Sequence, residues 1–204
     1  MKITEILPRR GRIFEVRFDD GTYINLDKTF FESLSLKAGD QISDEKANEL
    51  EDLSDMKRCK NRAFYYLSNS SMSEKNLRAK LLKSGFAPRC VEKVVERCKQ
   101  LLYIDDHSFA QRVKEKCDQN NFSNRATADK LIISGISGEK VKEICLYDSF
   151  SEQEKIKHLL KTKYEKKLST KEEIQKVIAS LQRKGFLFSD INSVLRSYTY
   201  TTEE

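Results

Sequence analysis

The sequence has no tryptophan, only two histidines, and no cysteines in a C-x-x-C arrangement. His107 and His158, with the scattered Cys59, Cys90, Cys98, Cys117 and Cys145, do not make the paired spacing of a zinc site. The odd cysteine count and the lack of an export signal read as reduced thiols. No stretch approaches the ~18 apolar residues of a membrane span. The opening "MKITEILPRRGRIFEV" lacks the apolar core of a signal peptide, so the expected location is the cytoplasm. Phosphate loops, G-x-S-x-G, H-E-x-x-H and G-x-G-x-x-G are all missing. Nothing supports an enzyme, and no cofactor or metal is expected.

What is present is charge. Charged residues make up 34% of the chain against 38% hydrophobic, a balance that suits helices with long solvated faces. The net charge of +6 is unevenly spread: residues 1–54 carry −4, 55–104 carry +8, 105–150 carry −1 and 151–204 carry +3. One segment is thus more positive than the whole protein. That asymmetry points to a nucleic acid or an acidic partner surface near 55–104, set against the plainer reading of a solvated lysine-rich face.

The first fifty residues read as a small β-rich head. "RIFEVRF" alternates, with Phe14, Val16 and Phe18 on one face. Asp20-Gly21 is a hairpin turn followed by "TYINL", and "KITEIL" supplies a third strand. Ser43 can cap a helix through 44–54. This head shows no catalytic motif and reads as a packing or docking module.

From about residue 55, helical periodicity takes over and a phrase repeats. "KLLKSGF", "KLIISGI" and "SLQRKGF" follow one another at fifty-residue spacing. Leu81, Leu131 and Leu181 align, as do Gly85, Gly135 and Gly185, then Phe86, Ile136 and Phe186. Val91, Val141 and Ile191 continue the register, with Val94, Ile144 and Val194. Such repeats imply stacked supersecondary units. In the first unit, "KRCKNRAFYYLSN" is helix one and Ser71 to Glu74 a capping box for helix two. Gly85 takes the left-handed stop, and Ala87-Pro88 open helix three. Its apolar stripe is Val91, Val94, Val95, Cys98, Leu101 and Leu102. Thr170 with Glu173, and Ser151 with Glu154, read as capping boxes of the third unit. The predicted architecture is mainly α: three elongated tandem three-helix repeats (55–104, 105–150, and 151–204 with a tail) after the β-rich head, 1–54. Such arrays offer long surfaces and seldom deep pockets.

The candidate binding residues lie in the basic repeat. Arg89, Lys93 and Arg97 fall one turn apart on helix three, opposite the valines. Arg58 and Arg62 share helix one, while Lys75, Arg78, Lys80 and Lys83 stud helix two. Phosphates neutralised by such a patch release counterions, so binding is expected to depend on salt. Tyr65 and Tyr66 read first as helix packing, with base stacking as the alternative. In "YIDDHSFA" the adjacent carboxylates invite a metal or acid–base reading, but neighbouring side chains diverge. Asp105 as N-cap of a helix starting at Asp106, with Ile104 and Phe109 as a hydrophobic staple, explains them better.

"AFYYLSNSSMSEKNLRAKLLKSGF" and "YIDDHSFA", with "GI" and "GF" at repeat spacing, resemble the RecX family of bacterial recombination regulators. In that family a repeat begins with an alanine-and-tyrosine helix. It continues with residues matched here by Ser73, Leu77, Arg78, Lys80, Leu81 and Gly85. The paired aspartates with Phe-Ala are matched by Asp105, Asp106, Phe109 and Ala110. The likeness spans roughly 55–200 and is strongest over 60–111; some members carry an extension like the head. Members commonly open helix two of the second repeat with a glycine and several basic residues, where this chain has "NNFSNRATADKL", including Asn124 and Arg125. The resemblance implies a protein without catalysis that lies along the groove of the RecA–DNA filament. It implies modulation, usually inhibitory, of strand exchange, ATP hydrolysis and cleavage of the SOS repressor. The implied partners are the RecA nucleoprotein filament and single- or double-stranded DNA; apart from the resemblance, no membrane partner is expected, and a monomer is the expected state. An autonomous DNA-binding protein built from helix-turn-helix-like units and a helical-repeat scaffold stay open as alternatives.

Overall fold

Three antiparallel strands open the chain: β1 (Ile3–Arg9), β2 (Ile13–Phe18) and β3 (Tyr23–Asp27), in the order β1-β2-β3. The computed structural model describes residues 1–200, so the expected tail at 201–204 lies outside the described residues. The alternation in β2 buries Val16 and Phe18, while Phe14 stacks on Phe31 with ring centroids 4.7 Å apart. Gly21 turns the hairpin at φ +85°, and the Phe18 N–H donates to the Thr22 carbonyl at 2.9 Å across it. A short helix, α1 (Lys28–Glu32), follows, capped by Asp27.

Helix α2 (Asp44–Asn69) joins head to repeat. Ser43 caps it as expected, accepting from the Lys46 N–H at 3.2 Å. The helix does not end near 54. No glycine or proline interrupts residues 44–69, so nothing in the chain stops it where the charge changes sign. Ala47 and Leu50 pack its first half on the sheet, beside Ile3, Val16, Phe18, Ile24 and Leu26. Cys59 and Ala63 bury its second half in repeat 1. Between them Ser54 is fully buried and accepts a 2.7 Å hydrogen bond from the Asp27 N–H.

Repeat 1 adds α3 (Glu74–Lys83) and α4 (Pro88–Gln100). The cap of α3 is Ser73, not Ser71: Ser73 is the last extended residue and accepts from the Asn76 N–H at 3.2 Å. Met72, Leu77, Leu81, Cys90, Val91, Val94, Val95 and Cys98 fill the core. Leu101 and Leu102 leave the expected stripe. The helix closes at Gln100, and Leu102 takes the left-handed position itself at φ +57°, which turns it out to 83% exposure.

The chain divides into two units between Ile104 and Asp105. The expected boundaries at 54 and 150 fall inside α2 and α8. Unit 2 contains α5 (Asp106–Gln119), α6 (Asn124–Ile133), α7 (Gly138–Ile144), α8 (Ser149–Leu159), α9 (Lys171–Arg183) and α10 (Phe188–Tyr200). Asp105 caps α5, accepting from the His107 and Ser108 N–H groups at 2.9 and 3.2 Å, with Ile104 and Phe109 both buried. Thr170 caps α9, accepting from the Glu173 N–H at 3.2 Å. The cap of α8 is Asp148 rather than Ser151; Ser151 sits in the first turn and donates its N–H to the Asp148 carboxylate at 2.8 Å.

The repeated phrase has one geometry throughout. Gly85, Gly135 and Gly185 have φ of +87°, +88° and +90°. The next residue, Phe86, Ile136 or Phe186, donates its N–H back to the carbonyl of Leu81, Leu131 or Leu181. At one copy the turn is also a joint. The Lys184 carbonyl accepts from the Ser123 N–H at 3.0 Å, which seats the turn on the start of α6. Alongside it, buried Glu152 accepts from the Asn124 N–H at 3.0 Å, and Lys155 bonds Asp118 and Asn124. Repeats 2 and 3 are thereby joined by polar contacts.

Candidate functional site

All nine predicted binding residues, Arg58 to Arg97, lie in unit 1 on α2, α3 and α4, but the structure separates them by their partners. Three are engaged within the fold. Arg78 pairs with Glu74 at 2.7 Å and also with Glu92. Burial pushes the Glu74 carboxyl up, but hydrogen bonds from Lys99 and Arg78 outweigh it and hold the group below its usual range. Arg58 pairs with Asp55 at 2.8 Å and lies 5.9 Å from the Phe86 ring centroid. Arg89 pairs with Asp52 of α2.

Among the described residues, Arg62, Lys80, Lys83, Lys93 and Arg97 form no ion pair, and all five are exposed. Arg97 bonds the neutral Gln100, at 3.2 Å. Lys75 is exposed too. The expected stripe on α4 is therefore divided: among the described residues Arg89 is ion-paired with an acidic neighbour, while Lys93 and Arg97 are not. That neighbour is what sequence reasoning missed. Glu49, Asp52 and Asp55 line one side of a groove of about 270 Å³, with Arg89 and Lys93 on the other. The i, i+3 spacing of these acids along α2 is the signal that could have found it.

The tyrosines also separate. Tyr66 packs as expected: it is half-buried and its hydroxyl bonds Ser84 Oγ at 2.9 Å. Tyr65 does not pack and stands 58% exposed. The Arg62 guanidinium lies 5.9 Å from both ring centroids, and Lys80 Nζ lies 5.2 Å from that of Tyr66.

The remaining motif residues sit in local structure. Asp105 holds its cap, and hydrogen bonds from Ser108 keep its carboxyl below the usual range. Asp106 is in the first turn of α5. No cluster of histidine, cysteine, aspartate or glutamate able to hold a metal occurs among the described residues. All five cysteines are buried free thiols. Burial pushes the Cys59, Cys90, Cys98 and Cys145 thiols up, away from the reactive thiolate. No helix among the described residues is long and apolar enough to cross a membrane.

The basic three-helix unit can now be set beside known proteins. Residues 59–98 match the family domain described as "RecX, first three-helix domain", and residues 151–195 match "RecX, third three-helix domain". A Bacillus velezensis protein named "Regulatory protein RecX" is 30% identical over 195 residues, covering 94% of this chain and 74% of that one. The chain belongs to the RecX family. A RecX protein of Caldanaerobacter subterraneus subsp. tengcongensis is 29% identical over 196 residues, 96% of this chain and 98% of its own. A crystal structure of a regulatory protein RecX shares the fold at a TM-score of 0.58 and 20% identity, covering 95% of this chain and 98% of that one. RecX from Lactobacillus salivarius does so at 0.56 and 19%, over 70% and 96%. The first matched RecX domain contains Arg62, Lys80, Lys83, Lys93 and Arg97.

Proposed function

We propose that this chain is a non-catalytic regulator that binds the RecA–DNA filament as a monomer and restrains it. Binding lowers ATP hydrolysis, and with it strand exchange and cleavage of the SOS repressor. The observation that carries this reading is the surface of repeat 1. Among the described residues five exposed cations there lack a carboxylate partner, in a family whose members are named as regulatory proteins. A face held positive across three helices suits a partner whose surface is acidic or lined by phosphates. Lys93 and Arg97 on α4, with Lys80 and Lys83 on α3, are the contact residues.

The test is ATP hydrolysis by the cognate RecA on single-stranded DNA, with the protein titrated in. The expected result is a fall in hydrolysis at less than one protein per RecA subunit. Undiminished hydrolysis on filaments that otherwise perform strand exchange overturns the reading. Tight binding to bare duplex without RecA would favour an autonomous DNA-binding protein instead.

A further inference from the structure

On a helix, residues three and four apart are neighbours, so Arg62 faces both Tyr65 and Tyr66. The two rings differ in their footing. Tyr66 is four residues from Arg62 and three from the buried Ala63, and it leans toward the core. Its hydroxyl is fixed to Ser84 and its ring is covered by Lys80. Tyr65 is displaced around the helix and lies open, with no hydrogen bond to its hydroxyl among the described residues. The ring centroids are 5.9 Å apart and tilted by 56°. An anchored tyrosine and a shared guanidinium thus present the face of a second tyrosine to solvent.

The local sequence carries one sign of charge, although Lys57 and Arg58 are paired within the fold, with Asp27 and Asp55. Residues 56–73 contain Lys57, Arg58, Lys60 and Arg62 and not one carboxylate, in a chain with 32 acidic residues. Across the gap, Lys80 and Lys83 end α3 without an ion pair among the described residues. An open aromatic face beside Arg62 and Lys80, neither in an ion pair among the described residues, complements a ligand with flat apolar rings on an anionic chain. A protein partner supplies acids or rings, seldom both in alternation. Duplex DNA keeps its rings stacked inside. A single strand offers each base beside a phosphate, and any base can stack.

We propose that Tyr65 is a stacking platform for a base of single-stranded nucleic acid, with Arg62 and Lys80 on the flanking phosphates. This rests on the reading that repeat 1 is the binding face, and it adds that the face touches the strand itself. Tyr66 is a positioning residue: it fixes Lys80 and the guanidinium that Tyr65 shares.

The absence of tryptophan makes the test direct, because Tyr65→Trp becomes the sole indole. Its emission is expected to be quenched by oligothymidylate and not by an abasic oligonucleotide of equal length. Tyr65→Ala should weaken oligothymidylate binding by about 5- to 150-fold, while Tyr65→Phe stays within about twofold of the parent. Unquenched indole emission at saturating oligothymidylate overturns the proposal, as does parental affinity in Tyr65→Ala. RecA-dependent ATP hydrolysis separates this from the function proposed above. Quenching without any effect on RecA removes the filament role and supports the stacking site. Restrained hydrolysis with no quenching keeps the filament role and removes the stacking site.

Discussion

Gly85 and Gly185 are equivalent in the repeat and unequal in what surrounds them. Both hold a positive φ, which an L side chain adopts at a cost of roughly 1–2 kcal/mol. A Cβ on Gly85 would meet nothing within 4 Å, whereas on Gly185 it would stand 2.5 Å from Ser123 Oγ and Ala126 Cβ. Gly85→Ala is therefore expected to cost about 1 kcal/mol, and Gly185→Ala about 2–5 kcal/mol once overpacking is added. Urea unfolding of the two variants checks this; equal losses would show that the joint yields freely. The repeat made these glycines legible as helix stops, because the left-handed position follows from local chain geometry. The close approach at Gly185 was not legible, since it depends on a partner about sixty residues away. Tyr65 and Tyr66 teach the same lesson in reverse: adjacent letters of one type end in different surroundings, because a helix turns about 100° between them. In the head, Glu15 accepts hydrogen bonds first from Arg9 and then from Arg17, and its carboxyl is lowered from 4.5 to about 2. A lowered folded value means stabilisation present above about pH 4.5 and lost as pH falls toward 2. Glu15→Gln should flatten that part of the unfolding profile followed by circular dichroism; an unchanged acid slope would assign it to other carboxylates.

At the scale of elements, caps and junctions decide more than propensity does. Ahead of α3 the sequence offered several serines and the structure uses the last extended one; at α8 it uses an aspartate ahead of the expected serine. Periodicity showed that helices exist at these places, but it could not tell which hydroxyl comes within reach of an N2 or N3 amide. It also could not show that α2 continues past 54. The change in charge there marks a change of partner along one helix. Glu152 is the residue on which the joint between α6 and α8 turns. It is almost fully buried, it accepts from the first amide of α6, and Lys155 lies 3.6 Å away. A carboxylate at a helix N-terminus also meets the positive end of the helix dipole. Glu152→Ala leaves that amide without its acceptor and should cost about 1–3 kcal/mol. Glu152→Gln keeps an acceptor and should lose less than half as much. Urea midpoints of the pair provide the check, and equal losses would mean that the negative charge, not the hydrogen bond, holds the joint.

Across the whole molecule the positive charge is concentrated in one repeat, and part of it is already neutralised by the head. The exposed pair of Arg89 with Asp52 is of the kind that contributes little to stability, so a phosphate can readily replace the carboxylate. Lys93 borders the same acidic groove but forms no ion pair among the described residues, and Arg97 bonds the neutral Gln100. These three positions therefore should not contribute equally. Reversing all three, Arg89→Glu, Lys93→Glu and Arg97→Glu, is expected to abolish restraint of RecA ATP hydrolysis while helix content stays intact, because none of the three side chains is buried. Asp52→Asn should act in the opposite direction, tightening binding by about 2- to 5-fold at low salt, with the gain shrinking as salt rises. A titration at two ionic strengths distinguishes the cases. If Asp52→Asn leaves affinity unchanged while the triple reversal removes it, Lys93 and Arg97 alone carry the contact. If the triple reversal inhibits as well as the parent, the binding face does not lie on α4 at all, and only the α3 and Tyr65 side of repeat 1 would be left to meet the filament.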